Sequence, residues 1–148
     1  THPWNYYVLG DETRRKLLPT VISLSKNKAK VKKQEEIESA IDRAISKIID
    51  VPIIIAVTTK LSPDDSFREE EDYAATVCSL HNLVLSLWDM GIGSQWSTGS
   101  ITRHPVTYNS LGINKEEERI VGFLKIGYPK NIPEKTKKKV AEIRRFLP

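Results

Sequence analysis

The sequence predicts one domain of mixed helix and strand spanning residues 1–148, and three observations carry that expectation. The 148 residues, 39% of them hydrophobic, are enough for one full core and short for two. Runs rich in β-branched and aromatic residues at 4–9, 52–59 and 119–129 read as strands. The stretches between them repeat their apolar residues at helical spacing.

The first strand, Trp4-Asn5-Tyr6-Tyr7-Val8-Leu9, stops at the turn signal Gly10-Asp11. Because a core strand rarely opens a chain, a segment upstream of Thr1 is expected. Asp11 is the expected cap of a helix whose face carries Leu17, Leu18, Val21 and Ile22, with Arg14 in its first turn. The run at 26–33, dense in lysine, reads as a solvated loop or fraying turn. Ile37, Ile41, Ala44, Ile45 and Ile48 then mark an amphipathic helix ended by Asp50.

The continuous apolar run at 52–59 is the expected central strand, covered on both faces. After the polar turn at 62–66, a helix from about Phe67 to Met90 becomes apolar nearly all round. Leu80, Leu83, Val84, Leu85, Leu87 and Trp88 require burial by the sheet or by another subunit. Gly91-Ile92-Gly93 stops it, and Trp96-Ser97-Thr98-Gly99 reads as a polar loop. Pro105 to Leu111 is a short helix closed by Gly112, residues 119–129 form the last strand, and the tail is lysine-rich.

The formal charge of +4, from 23 Lys plus Arg against 19 Asp plus Glu, hints mildly at an anionic ligand. The single cysteine, Cys78, lies in an apolar run and is expected to be buried. It excludes a disulfide framework within the chain and fits a reducing, cytoplasmic setting. No apolar run is long enough for a membrane span, and no membrane partner is expected.

Self-sufficient catalysis has little to work with. His2, His81 and His104 are far apart and lack metal-ligand spacing; His81 reads as a core histidine and His104 as a loop or cap residue. The acidic run at 69–72 is explained by a helix start, where the dipole favours negative charge. Neither glycine-rich nucleotide loop is present, since Gly91-Ile92-Gly93 follows a helix. Chemistry without protein-borne reactive groups points to a bound cofactor.

Four segments in order then resemble the nitroreductase-like flavoproteins of the small single-domain bacterial type. They are His2-Pro3-Trp4-Asn5-Tyr6-Tyr7-Val8, Asp72-Tyr73-Ala74-Ala75 with His81-Asn82-Leu83, Gly91-Ile92-Gly93-Ser94-Gln95-Trp96-Ser97-Thr98-Gly99, and the strand from Arg119 to Pro129. The resemblance implies an α+β fold with a mostly antiparallel central sheet flanked by helices, paired as an intertwined homodimer with FMN at the interface. It implies ping-pong transfer of hydride from NADH or NADPH through FMN to a nitroaromatic, quinone or similar small-molecule acceptor. By position, Trp96, Ser97, Thr98 and Gly99 match the loop beside the flavin ring, Lys135, Lys137 and Lys139 match a basic alternation reaching the FMN phosphate, and His2 stands near the flavin. The paired arginines and serine of the family's start have no counterpart after Thr1, so an N-terminal arm carrying them is expected upstream. The alternative is a flavin-free dimeric scaffold or a basic interaction module. Its nucleic-acid form is disfavoured because the aromatics do not interleave with the lysines.

Overall fold

The structure, a computed structural model, describes residues 2–29 and 33–147. Its sheet grows around β2 (Ile53–Lys60), whose side chains are buried on alternate sides along most of its length. β1 (Trp4–Val8) pairs antiparallel with one edge of β2, and β4 (Glu118–Gly127) pairs antiparallel with the other. β3 (Gly93–Ser97) adds antiparallel to β4, giving the order β1-β2-β4-β3. The expected α+β architecture with an antiparallel sheet is the one observed. The β2–β4 register slips between Val57 and Thr58, so that Val57 faces Gly122 and Thr58 faces Ile120. Such a bulge sharpens the local twist.

α1 (Asp11–Lys28) and α2 (Gln34–Ile49) form an antiparallel pair on one face. They bury Leu17, Val21 and Ile48 against Ile54, Ala56 and Phe123. The expected cap at Asp11 is displaced by one residue: Gly10 is the N-cap, and Asp11 sits in the first turn, where its charge suits the helix dipole. α1 also runs further than expected, through Lys28 to a buried Ala29; Lys30, Val31 and Lys32 of the predicted loop lie outside the described residues.

Arg14 ties this layer to the sheet. Its guanidinium, 6% exposed, donates to the carbonyls of Leu9 (3.0 Å), Pro52 (3.1 Å) and Val51, and more weakly to that of Ile48 (3.5 Å). One side chain therefore joins the end of β1 to the C-terminal end of α2, where carbonyls lack helical partners and the dipole favours a cation.

The other face is covered by α3 (Ser66–Asp89), started by Asp65, whose carboxylate accepts from the Arg68 N–H at 2.9 Å. Leu83, Val84 and Leu87 pack on Leu124 and Ile126. The opposite side of α3 is bare. Leu85 and Trp88 are exposed there, and so are Cys78 and His81, which the sequence places in the core. A sheet covers one side of a helix, and nothing else among the described residues covers the second side. α3 ends at Gly91, whose φ of 74° is left-handed.

Trp96 and Ser97, expected in a loop, are instead the last two residues of β3. Their pairing with Leu124 and Phe123 overrides a polar composition that argues against a strand. A 3₁₀ turn (Ser100–Arg103) follows, then α4 (Pro105–Leu111). His104 is the N-cap of α4, its Nδ1 accepting from the Val106 N–H at 3.3 Å. After β4 the described residues are exposed, those of the short α5 (Val140–Ile143) included. No helix among the described residues is long and apolar enough to cross a membrane.

Candidate functional site

The β3–β4 edge organises the site. Trp96 stands across from Leu124, and its indole lies against Gly122, two residues further back on β4. A Cβ at Gly122 would come within 2.3 Å of Trp96 Nε1 and 3.0 Å of the Ser97 carbonyl, so glycine is required for this close approach. As the outermost strand, β3 has no partner on its far side among the described residues. Its outward backbone groups stay available to another molecule.

Beyond Ser97 the chain turns, and successive residues open onto different cavities. Thr98 lines one together with Tyr73 and Arg119. Gly99 and Ser100 line another, of about 380 Å³, on the side of α1 and α2. Four cations line this second cavity, Lys28 and Arg43 and Lys47 from the helices and Lys125 from β4, and no carboxylate does. None of the four has an ion-pair partner within 4.0 Å among the described residues. Lys125 is half-buried within the otherwise uncharged stretch of β4 from Ile120 to Gly127; burial, and then the charge of Lys47, hold its ammonium below the ordinary lysine range.

Lys47 and Lys125 also line a neighbouring cavity of about 650 Å³, whose other walls include Gln95, Leu85, Trp88 and Pro133. A basic and apolar groove thus runs along α2 and β4 from Gly99 towards the tail. Among the described residues, no group of three or more His, Cys, Asp or Glu side chains could hold a metal ion.

Of the residues singled out from sequence, Gly99 falls in the basic cavity and Thr98 in the one across the turn. Trp96 packs on Gly122, and Ser97 is half-buried at the end of β3. His2 is exposed, its ring edge-on to Trp4 at 5.3 Å. Lys135, Lys137 and Lys139 are exposed on the segment that leaves the groove after Pro133, and line none of these cavities. The Lys139 N–H donates to Glu142 at 3.0 Å. Arg43, Lys47, Lys125 and Ser100 escaped sequence reading. For Lys125 a signal existed, a lone charge inside the apolar run from Ile120 to Ile126.

Residues 1–128 match the nitroreductase family model. The chain belongs to the nitroreductase family. Its relatives include a Bacillus subtilis (strain 168) protein named "Putative NAD(P)H nitroreductase YfhC". It is 27% identical over 138 residues, which cover 93% of this chain and 69% of that protein. A crystal structure of a nitroreductase-like family protein from Bacillus cereus superposes with a TM-score of 0.76 at 29% identity, covering 98% of this chain and 73% of that one. Iodotyrosine deiodinase, crystallised with FMN and 3-iodo-L-tyrosine, shares the fold at a TM-score of 0.72 and 17% identity, over 98% of this chain and 73% of its own. This family membership turns the four cations around Gly99 from a surface curiosity into a candidate cofactor site.

Proposed function

We propose that the chain is the catalytic domain of an FMN-dependent oxidoreductase that draws hydride from NADH or NADPH and reduces a nitroaromatic, quinone or similar small acceptor in ping-pong fashion. The observation that carries this reading is the cavity at Gly99, where four cations meet without a carboxylate in a nitroreductase-family fold. It fits an anionic, planar cofactor: glycine allows close approach of the backbone, Ser100 offers a hydroxyl, and Arg43, Lys47 and Lys125 supply charge. Bound FMN would supply the two-electron chemistry, which no protein side chain here can supply. The family's proteins named above, a nitroreductase by name and an FMN-bound deiodinase by structure, support the reading in kind.

The chain's own part is binding, orientation and charge. Cations facing the cavity favour added negative charge there, so they favour reduction of a bound acceptor of electrons. Lys135, Lys137 and Lys139 follow the groove into the tail and are assigned to the phosphate, with Trp96, Ser97, Thr98 and His2 beside the ring system. Replacing the three lysines together by alanine is expected to weaken FMN binding about tenfold or more, since phosphate contacts are charge-assisted. Thermal stability should barely change, because exposed lysines add little to folding. Flavin fluorescence quenching measures the first and circular dichroism the second. Unchanged affinity would return these lysines to the solvated surface, and no FMN binding by the unmutated chain would favour the flavin-free scaffold.

The same reading includes a homodimer. The bare side of α3 presents Leu85 and Trp88, and Met90 follows at 63% exposure. Leu85 and Trp88 also line the apolar part of the groove, so a second copy seated on α3 would wall the site. Sedimentation should give twice the chain mass, and Trp88→Glu should return it to one; a wild-type monomer at micromolar concentration would remove this element.

A further inference from the structure

The cavity across the turn from the flavin candidate has a function of its own to account for. It measures about 610 Å³, within the usual range for small-molecule sites, and draws on the 3₁₀ turn, the loop before β4, the start of β4 and α3. Three cations line it, Arg103, Lys115 and Arg119. The carboxylate that lines it, Glu118, is already engaged: it accepts from the Tyr7 hydroxyl at 3.0 and 3.2 Å and from the Thr58 hydroxyl. Arg103 and Lys115 are exposed and take part in none of the chain's described ion pairs. The guanidinium of Arg119 lies 4.6 Å from the centre of the Tyr73 ring, with Glu69 4.0 Å away at the edge of ion-pair range.

We infer that this cavity takes the 2′-phosphorylated adenosine end of NADPH, and that the protein prefers NADPH to NADH. The inference rests on the proposed NAD(P)H-dependent function and adds the coenzyme it selects. Nucleotide sites distinguish the two coenzymes by charge: a free carboxylate accepts from the ribose 2′-hydroxyl of NADH, whereas arginine accommodates the 2′-phosphate of NADPH. Here the carboxylate is occupied, while Arg103 and Lys115 take part in none of the described ion pairs. A phosphate monoester carries close to two negative charges at neutral pH, which suits Arg103 and Lys115 together. The planar Arg119 guanidinium on Tyr73 offers a flat surface on which a purine can stack. Thr98 lines this cavity and Gly99 the cationic one, so one peptide unit separates the rims of the two sites.

Calorimetric titration of the chain with 2′,5′-ADP and with 5′-AMP tests the inference without turnover. Binding of 2′,5′-ADP is expected to be tighter by about tenfold or more, the scale of one charge-assisted phosphate contact. The preference should largely disappear in the Arg103→Gln/Lys115→Gln double variant and persist in Lys130→Gln, an exposed lysine outside the cavity. Equal affinities for the two nucleotides overturn the inference, as does a preference that survives the double substitution. Inorganic phosphate competing as tightly as 2′,5′-ADP overturns it too, by reducing the site to a general anion contact. FMN quenching on the unmutated chain separates the two levels. No FMN binding with 2′,5′-ADP discrimination intact would sink the flavin reading alone, and FMN binding without that discrimination would sink this one.

Discussion

Arg14→Met is expected to destabilise the fold by on the order of 3 kcal/mol, a large share of the roughly 5–15 kcal/mol that holds a domain together. The guanidinium is buried, and its partners are backbone carbonyls: Leu9 at the end of β1, and Val51 and Pro52 between α2 and β2. Methionine fills similar space but leaves the buried Leu9 carbonyl and the part-buried carbonyls of Val51 and Pro52 without this donor, and an unmet buried acceptor costs more than a typical hydrogen bond gains. Arg14→Lys should fall in between, since an ammonium keeps the charge at the α2 C-terminus but cannot span all the carbonyls at once. Urea unfolding followed by circular dichroism measures both. A shift for Arg14→Met within about 0.5 kcal/mol, the range of ordinary surface changes, would show that the contacts are incidental.

Gly122→Ala is the second large effect, and it falls on the site more than on the fold. The new methyl would overlap the Trp96 indole, and the Ser97 carbonyl prevents relief by shifting the backbone. Trp96 is 41% exposed and can swing outward, so the stability cost should stay near the 1–3 kcal/mol typical of overpacking. FMN affinity is expected to drop by at least about tenfold, because the end of β3 and the Thr98-Gly99 turn follow the displaced ring. Indole fluorescence should shift to the red as the ring enters water. Wild-type FMN affinity together with such a shift would mean that Trp96 has no part in the site.

The contrast between these two positions shows what a sequence can disclose. β1, β2 and β4 were legible because β-branched runs are a local signal, and α3 because its apolar residues from Leu80 to Trp88 follow a polar turn and run on to a glycine stop. β3 was not, since Gly93-Ser94-Gln95-Trp96-Ser97 has no strand composition and owes its conformation to pairing with β4. The exposure of Cys78 and His81 was missed for a related reason: composition says that α3 must be covered, not which molecule covers it. Arg14 was visible only as a first-turn residue, although its carbonyl partners come from segments up to 38 positions away. The site followed the same rule. Trp96 to Gly99 are contiguous in sequence, yet Thr98 and Gly99 line two different cavities and Trp96 and Ser97 line neither. Arg43 and Lys47 looked like the ordinary solvated face of an amphipathic helix. Only the packing of α2 beside β4 brings them to Lys125.

Crowding four like charges around one small cavity has a consequence for how the protein responds to its solution. In the ligand-free chain the cations repel one another, and dissolved salt relieves that repulsion by screening. When an anion enters, the same screening weakens the attraction that holds it. Under the proposed function, ionic strength therefore acts with opposite signs in the two states, steadying the free fold while loosening the complex, so that a higher salt level is expected to lower the share of the protein that holds its anion.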